Sequence, residues 1–304
     1  MRGWAIGAAA LAVSGAATGA ADRDGAELVV EGDGVRPASL MGVPVRLRID
    51  PAAPGMPIVD PDAASRARLR SGPLSPSYGV GPVRIAGRSA VARVDLGRGP
   101  VKRRVTWADR AFADDADVTV GPSGLPDPLV RFRLRPARQG ERTVALPLAG
   151  GGGLVGGWGV TAALLTVDGR PLRVRFDPRR PTVATAGAGV AIARAQAGAL
   201  EGEAATTEIA FSVERPVRRM RLARPLVIGP LAVDRMLVRV SDFGSAASIA
   251  ETGAPPPDPD EVVVTAKGKR DRSRDALTVG RDQLARCSSI LFDKRARQVR
   301  LSCL

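Results

Sequence analysis

Two stretches of this chain repeat each other closely enough to constrain how it must be organised. GVPVRLRIDPAAP (42–54) and GRPLRVRFDPRRP (169–181) share Gly, Pro, two Arg, Asp-Pro and a closing Pro, 127 positions apart. Each alternates apolar and polar residues, the period-2 pattern of a strand with one buried face. Each also stops at Asp-Pro. Proline has no amide hydrogen for a sheet ladder and holds the preceding residue extended, so the strand ends there and a turn follows. An Asp at such a junction is an ordinary turn former.

Two further blocks recur in the same order. VGPVRIAGRSAVARVDLG (80–97) matches IGPLAVDRMLVRVSDFG (228–244), each read as strand, tight polar turn and strand. TVGPSGL (119–125) matches TVGRDQL (278–284), and VRF and ILF follow at nearly the same distance. The Gly-rich AGGGGLVGGWG (149–159) lies between the halves; it lacks the Lys and Ser/Thr of a phosphate loop and reads as a flexible linker. The repeat therefore predicts a first lobe over 24–147, a linker over 148–159 and a second lobe over 160–304. With 35 Gly and 25 Pro set among short Val-, Leu- and Arg-rich runs, the 304 residues predict a mostly β fold. The second half adds ETGAPPPDPDEVVVTAKGKRDRSRD (251–275), whose prolines and charges predict an exposed, mobile insertion. Within it DEVVVTAK resembles the TonB box of outer-membrane receptors, and without a barrel it reads first as a loop that pairs transiently as an edge strand. On that resemblance the insertion is a candidate contact for a cell-envelope partner.

Composition removes several kinds of chemistry. The chain contains no histidine, which excludes Ser-His-Asp and Cys-His nucleophiles and H-E-x-x-H zinc sites. Two cysteines, Cys287 and Cys303, cannot complete a tetrahedral zinc site unaided, so no metal and no cofactor are expected. If DKRARQ is a hairpin turn, Phe292 faces Gln298 and, in the same register, Cys287 faces Cys303. Facing cysteines bridge in an oxidising compartment; otherwise they are two buried thiols. The N-terminus has Arg2, an uncharged Ala-rich stretch and small residues up to Ala21, the layout of a signal peptide over 1–21 or of an Ala-rich tail. No later run reaches the roughly 18 apolar residues of a membrane span. An exported protein, periplasmic or secreted, is expected. The net charge of +14 rests on arginines dispersed along the chain, read as solvated strand faces, with an anionic envelope surface as the alternative partner. Only 3% of residues are aromatic and no helix-turn-helix or finger spacing occurs, so nucleic acid is not expected.

The order of the blocks, a strand ending in Asp, a second hairpin, Gly-x-x-x-Leu and a closing strand, resembles the retropepsin-like lobe of aspartic peptidases. Two in tandem resemble a pepsin-like chain over most of residues 40–304. The resemblance implies two β-barrel lobes, a peptide or protein ligand between them, and Asp50 and Asp177 as the pair that would share a proton across a water molecule. It implies, too, a flap over the cleft where Tyr78 stands, although a lone tyrosine in a Gly/Pro loop also suits a core cap. The family motif follows its Asp with Thr or Ser and then Gly. Here Pro51 and Pro178, then Ala52 and Arg179, take those places. Proline supplies neither the hydroxyl nor an amide hydrogen, and a guanidinium on Arg179 held near Asp177 would favour the ionised carboxylate over a shared proton. The expectation is a catalytically impaired relative, with Arg179 and Tyr78 as binding residues; an active endopeptidase is the alternative. Trp158, Asp95 and Asp242 are read as structural.

Overall fold

The computed structural model describes residues 27–149, 157–242, 244–253 and 274–304. The predicted signal peptide, most of the Gly-rich linker and most of the 251–275 insertion, DEVVVTAK included, lie outside the described residues.

The first half forms β1 (Glu27–Val30), β2 (Val35–Leu40), β3 (Val43–Ile49), β4 (Ile58–Val59), α1 (Pro61–Arg66), β5 (Ser77–Val80), β6 (Val83–Asp95), β7 (Pro100–Ala108), β8 (Val118–Val120), β9 (Leu129–Arg133) and β10 (Arg142–Pro147). The second forms β11 (Ala163–Val167), β12 (Arg170–Asp177), β13 (Val183–Ala184), α2 (Ala186–Gln196), β14 (Gly198–Ala210), β15 (Val213–Ile228), β16 (Leu231–Arg239), β17 (Ala276–Gly280), α3 (Arg281–Leu284), β18 (Cys287–Asp293) and β19 (Gln298–Cys303). The fold is mostly β, as the sequence predicts. Among the described residues no helix is long and apolar enough to cross a membrane.

Each half contributes one seven-stranded sheet, β2-β3-β8-β4-β7-β6-β5 and β11-β12-β17-β13-β16-β15-β14, in the same strand order. The first and third repeats meet in the same register in both: β3 runs parallel to β8 with Arg48 opposite Thr119, and β12 parallel to β17 with Arg175 opposite Thr278. The hairpins feeding these strands match as well. Met41-Gly42 and Asp168-Gly169 both take positive φ, the twist that lets a two-residue turn join right-twisted antiparallel strands. The first sheet closes further through β2 and β6, where Leu40 faces Val94.

A third sheet, β1-β9-β18-β19-β10, draws on both halves. Its centre is antiparallel, with Val130 opposite Phe292, Arg131 opposite Leu291 and Phe132 opposite Ile290. VRF and ILF are thus related by a local twofold through the Arg131–Leu291 pair. Phe292 touches Phe132 and Phe176 edge-on, with ring centroids 5.8 and 6.4 Å apart, inside a core continuous across the molecule.

Three expectations need correction. The second repeat is not a pair of hairpins. Burial alternates without a break through Gly87 and Arg88, so 83–95 is the single strand β6, and Ala86 and Arg88 belong to its exposed face. By sheet order β6 corresponds to β15 and β7 to β16, so the match of 80–97 with 228–244 slips by one strand. In the C-terminal hairpin Cys287 does face Cys303 and the two are disulfide-bonded, but Asp293, not Phe292, faces Gln298. An irregularity between Cys287 and Ser289 absorbs the extra residue, as a β-bulge does. Converting both cysteines to alanine is expected to remove about 3 kcal/mol, because the bridge constrains the unfolded chain, read as a lower urea midpoint with a somewhat steeper slope as the freed unfolded chain exposes more surface. Finally, the arginines are not all solvated. Arg46 is exposed, while Arg48 two residues on is 1% exposed and pairs with Asp115.

Candidate functional site

The two Asp-Pro turns meet where the three sheets converge. Asp50 ends the line of β3, its amide donating to the Val120 carbonyl at 3.0 Å; Asp177 ends β12 opposite Gly280. Both side chains fold back onto the turn that follows. Asp50 Oδ1 accepts from the Ala52 amide at 2.8 Å, and Asp177 Oδ1 accepts from the Arg179 and Arg180 amides at 3.0 and 3.3 Å. Two prolines thus leave the first amide able to reach the carboxylate one residue further on. A glycine from the third repeat packs beneath each turn. A Cβ on Gly121 would stand 2.0 Å from the Ala53 carbonyl oxygen, and one on Gly280 would stand 2.2 Å from the Pro181 carbonyl carbon. In the second lobe Thr182 adds a brace: its amide and hydroxyl donate to Asp282 Oδ1, both at 2.8 Å, and its hydroxyl accepts from the Gly280 amide.

Asp50 and Asp177 are buried, at 1% and 3% exposure. Arg179 crosses the junction and its guanidinium bonds Asp50 of the other lobe, while only its amide serves Asp177. Arg180 takes the place expected of Arg179: it lies 3.4 Å from Asp177 Oδ2 and 2.7 Å from Glu208 Oε1. Burial pushes the Asp50 carboxyl above its ordinary range. Arg179 pulls it back, Asp177 pushes it up, and the Ala52 amide and Arg180 pull it down.

The carboxylates line different spaces. Asp50, with Pro51, Arg48 and Arg179, lines a cavity of about 340 Å³ against Phe132 and Leu284. Asp177 lines a cavity of about 620 Å³ between the lobes, bounded by the β5–β6 hairpin, β12, and the tip of the β14–β15 hairpin. Tyr78 lines this larger cavity and also caps an apolar cluster. Its hydroxyl bonds the Thr106 hydroxyl, and its ring packs 4.7 Å from Phe211, which meets Phe112 at 5.0 Å. Phe211 sits at the tip of the long second-lobe hairpin, so the two lobes also touch along one wall of the cavity.

Arg180, the Arg48–Asp115 pair, Thr182–Asp282 and Phe211 escape the sequence reading. The doubled arginine of DPRRP signals the first; nothing local signals Asp115, which reaches Arg48 across 67 residues. Asp95 and Asp242 hold turns and neighbours as expected: Asp95 accepts from the Gly97 and Gly99 amides, and Asp242 from Arg239. The Trp158 and Gly159 carbonyls at the described end of the linker accept from the Met56 and Gly55 amides, so that end is docked on the turn region.

Fold and junction together define a two-lobed β protein in which each lobe brings one buried carboxylate to a common boundary. No family model matches the sequence, and no curated protein does. Among solved structures the chain is similar to the aspartic proteinase from Irpex lacteus, at 10% identity over 88% of this chain and 93% of that one, with a TM-score of 0.41.

Proposed function

We propose that this is an exported, two-lobed protein of the aspartic-peptidase type whose carboxylates have been diverted from catalysis, and which acts by binding a peptide segment in the cavity between its lobes. The observation that carries this reading is the pairing of Asp50 with Arg179 of the opposite lobe. A proton shared between two carboxylates needs both to face one water and to share one negative charge. Here each carboxylate has its own guanidinium, and the two line separate cavities. The disulfide agrees with an oxidising compartment.

The active-endopeptidase reading has one observation in its favour, the raised Asp50 carboxyl with Asp177 acting on it. Incubation with denatured casein from pH 2 to 7 separates the two. The expected result is no pepstatin-sensitive cleavage at any pH; robust cleavage that disappears in Asp50→Asn would establish the enzyme instead.

A further inference from the structure

The duplication makes one residue of the large cavity conspicuous. Arg48 and Arg175 occupy the same place in the two lobes, opposite Thr119 and Thr278. In the first lobe Arg48 is paired with Asp115, four residues before Thr119. Four residues before Thr278 stands Arg274, so the sequence position that carries the carboxylate in the first lobe carries an arginine in the second. Among the described residues Arg175 makes no ion pair, and its buried Nε has no hydrogen-bond partner. Burial, with Arg239 and Arg173 beside it, pushes its guanidinium down to about 10. Arg173, Arg175, Arg180 and Arg239 all line the cavity, against Asp177 and Glu208. Arg175 is half-buried, and a guanidinium partly withdrawn from water with no ion-pair partner among the described residues is costly; a carboxylate in the cavity would offset that cost with charge-assisted, two-pronged hydrogen bonds.

The cavity walls indicate what carries the carboxylate. β5 and β14 are the outer strands of their sheets, and Ser77–Val80 and Glu208–Ala210 on them border the cavity. Outer strands present unpaired backbone groups suited to an extended chain. We infer that the cavity takes an extended acidic peptide, with one of its carboxylates seated on Arg175 in the role that Asp115 plays for Arg48. This rests on the cleft-binding reading above and adds the chemistry of the ligand.

The test is fluorescence anisotropy of the full chain with a labelled decapeptide of alternating valine and glutamate, and its valine–glutamine counterpart. The glutamate peptide is expected to bind roughly tenfold or more tightly, and Arg175→Gln to abolish that preference, with Arg175→Lys keeping part of it. Arg142→Gln, on an outer strand of the third sheet, removes the same charge and should leave the preference intact. An equal loss in Arg142→Gln would reduce the effect to net charge and overturn the inference. Equal binding of both peptides would overturn it while leaving cleft binding standing; binding of neither would remove both. Inorganic polyphosphate held through Arg175 in place of the glutamate peptide would overturn the peptide assignment.

Discussion

Replacing Gly121 and Gly280 together with alanine is expected to lower stability by about 4–6 kcal/mol, a drop of roughly 10–20 °C in Tm. Each Cβ would overlap main-chain atoms of a carboxylate turn: the Ala53 carbonyl in one lobe, the Arg180–Thr182 backbone in the other. Main chain held between strands cannot swing aside as a long side chain can, so the overlap must be relieved by moving the Asp-Pro turn itself. The two positions lie in different lobes and share no partner, so their effects should add. Differential scanning calorimetry of the single and double variants measures this. Little change in either single variant would mean that the turns yield and that the glycines are incidental.

Arg179→Met is expected to weaken the fold in a way that depends on pH. A carboxyl whose folded pKa is raised contributes stability that is fully present below its unfolded value, ordinarily 3.8, and lost as pH rises through the folded value. Arg179 offsets part of that loss by stabilising the ionised Asp50. Without it the folded value climbs further, and the loss extends to higher pH. Parent and variant should therefore unfold alike near pH 3 and diverge towards pH 7, by about 2–4 kcal/mol, the scale of a buried pair with one partner removed. Urea titrations at several pH values decide it. A gap of constant size would mean that Arg179 acts by packing.

Residues whose role is local were legible in the sequence. The alternation before Asp50 and Asp177 gave the strands, Asp-Pro gave their ends, and the TVG repeats gave the strands that pair beside them, because each is set by backbone geometry within a few positions. The slip in the second repeat has the same origin. Gly-Pro and Asp-x-Gly mark turns, and a sheet of short hairpins has such turns at both ends of every strand, so the landmarks cannot say which strand lies between them. The register of 287–303 failed near Phe292 because a bulge at Ser288 leaves no compositional trace. What stayed hidden in the site was long-range. Arg48 and Arg175 look identical in sequence, and only the fold shows that each lines a cavity and that Arg48 alone of the two has an ion pair among the described residues. Arg179 was expected beside its own aspartate, and the packing of the lobes gave it the other one.

The contact of Phe211 with Tyr78 and Phe112 bears on how the two halves are held together. It belongs to a small apolar cluster separate from the large core that the halves share, so the lobes are joined at two places. Two attachments set apart resist hinging where one alone would permit it, and the halves are expected to unfold in a single transition.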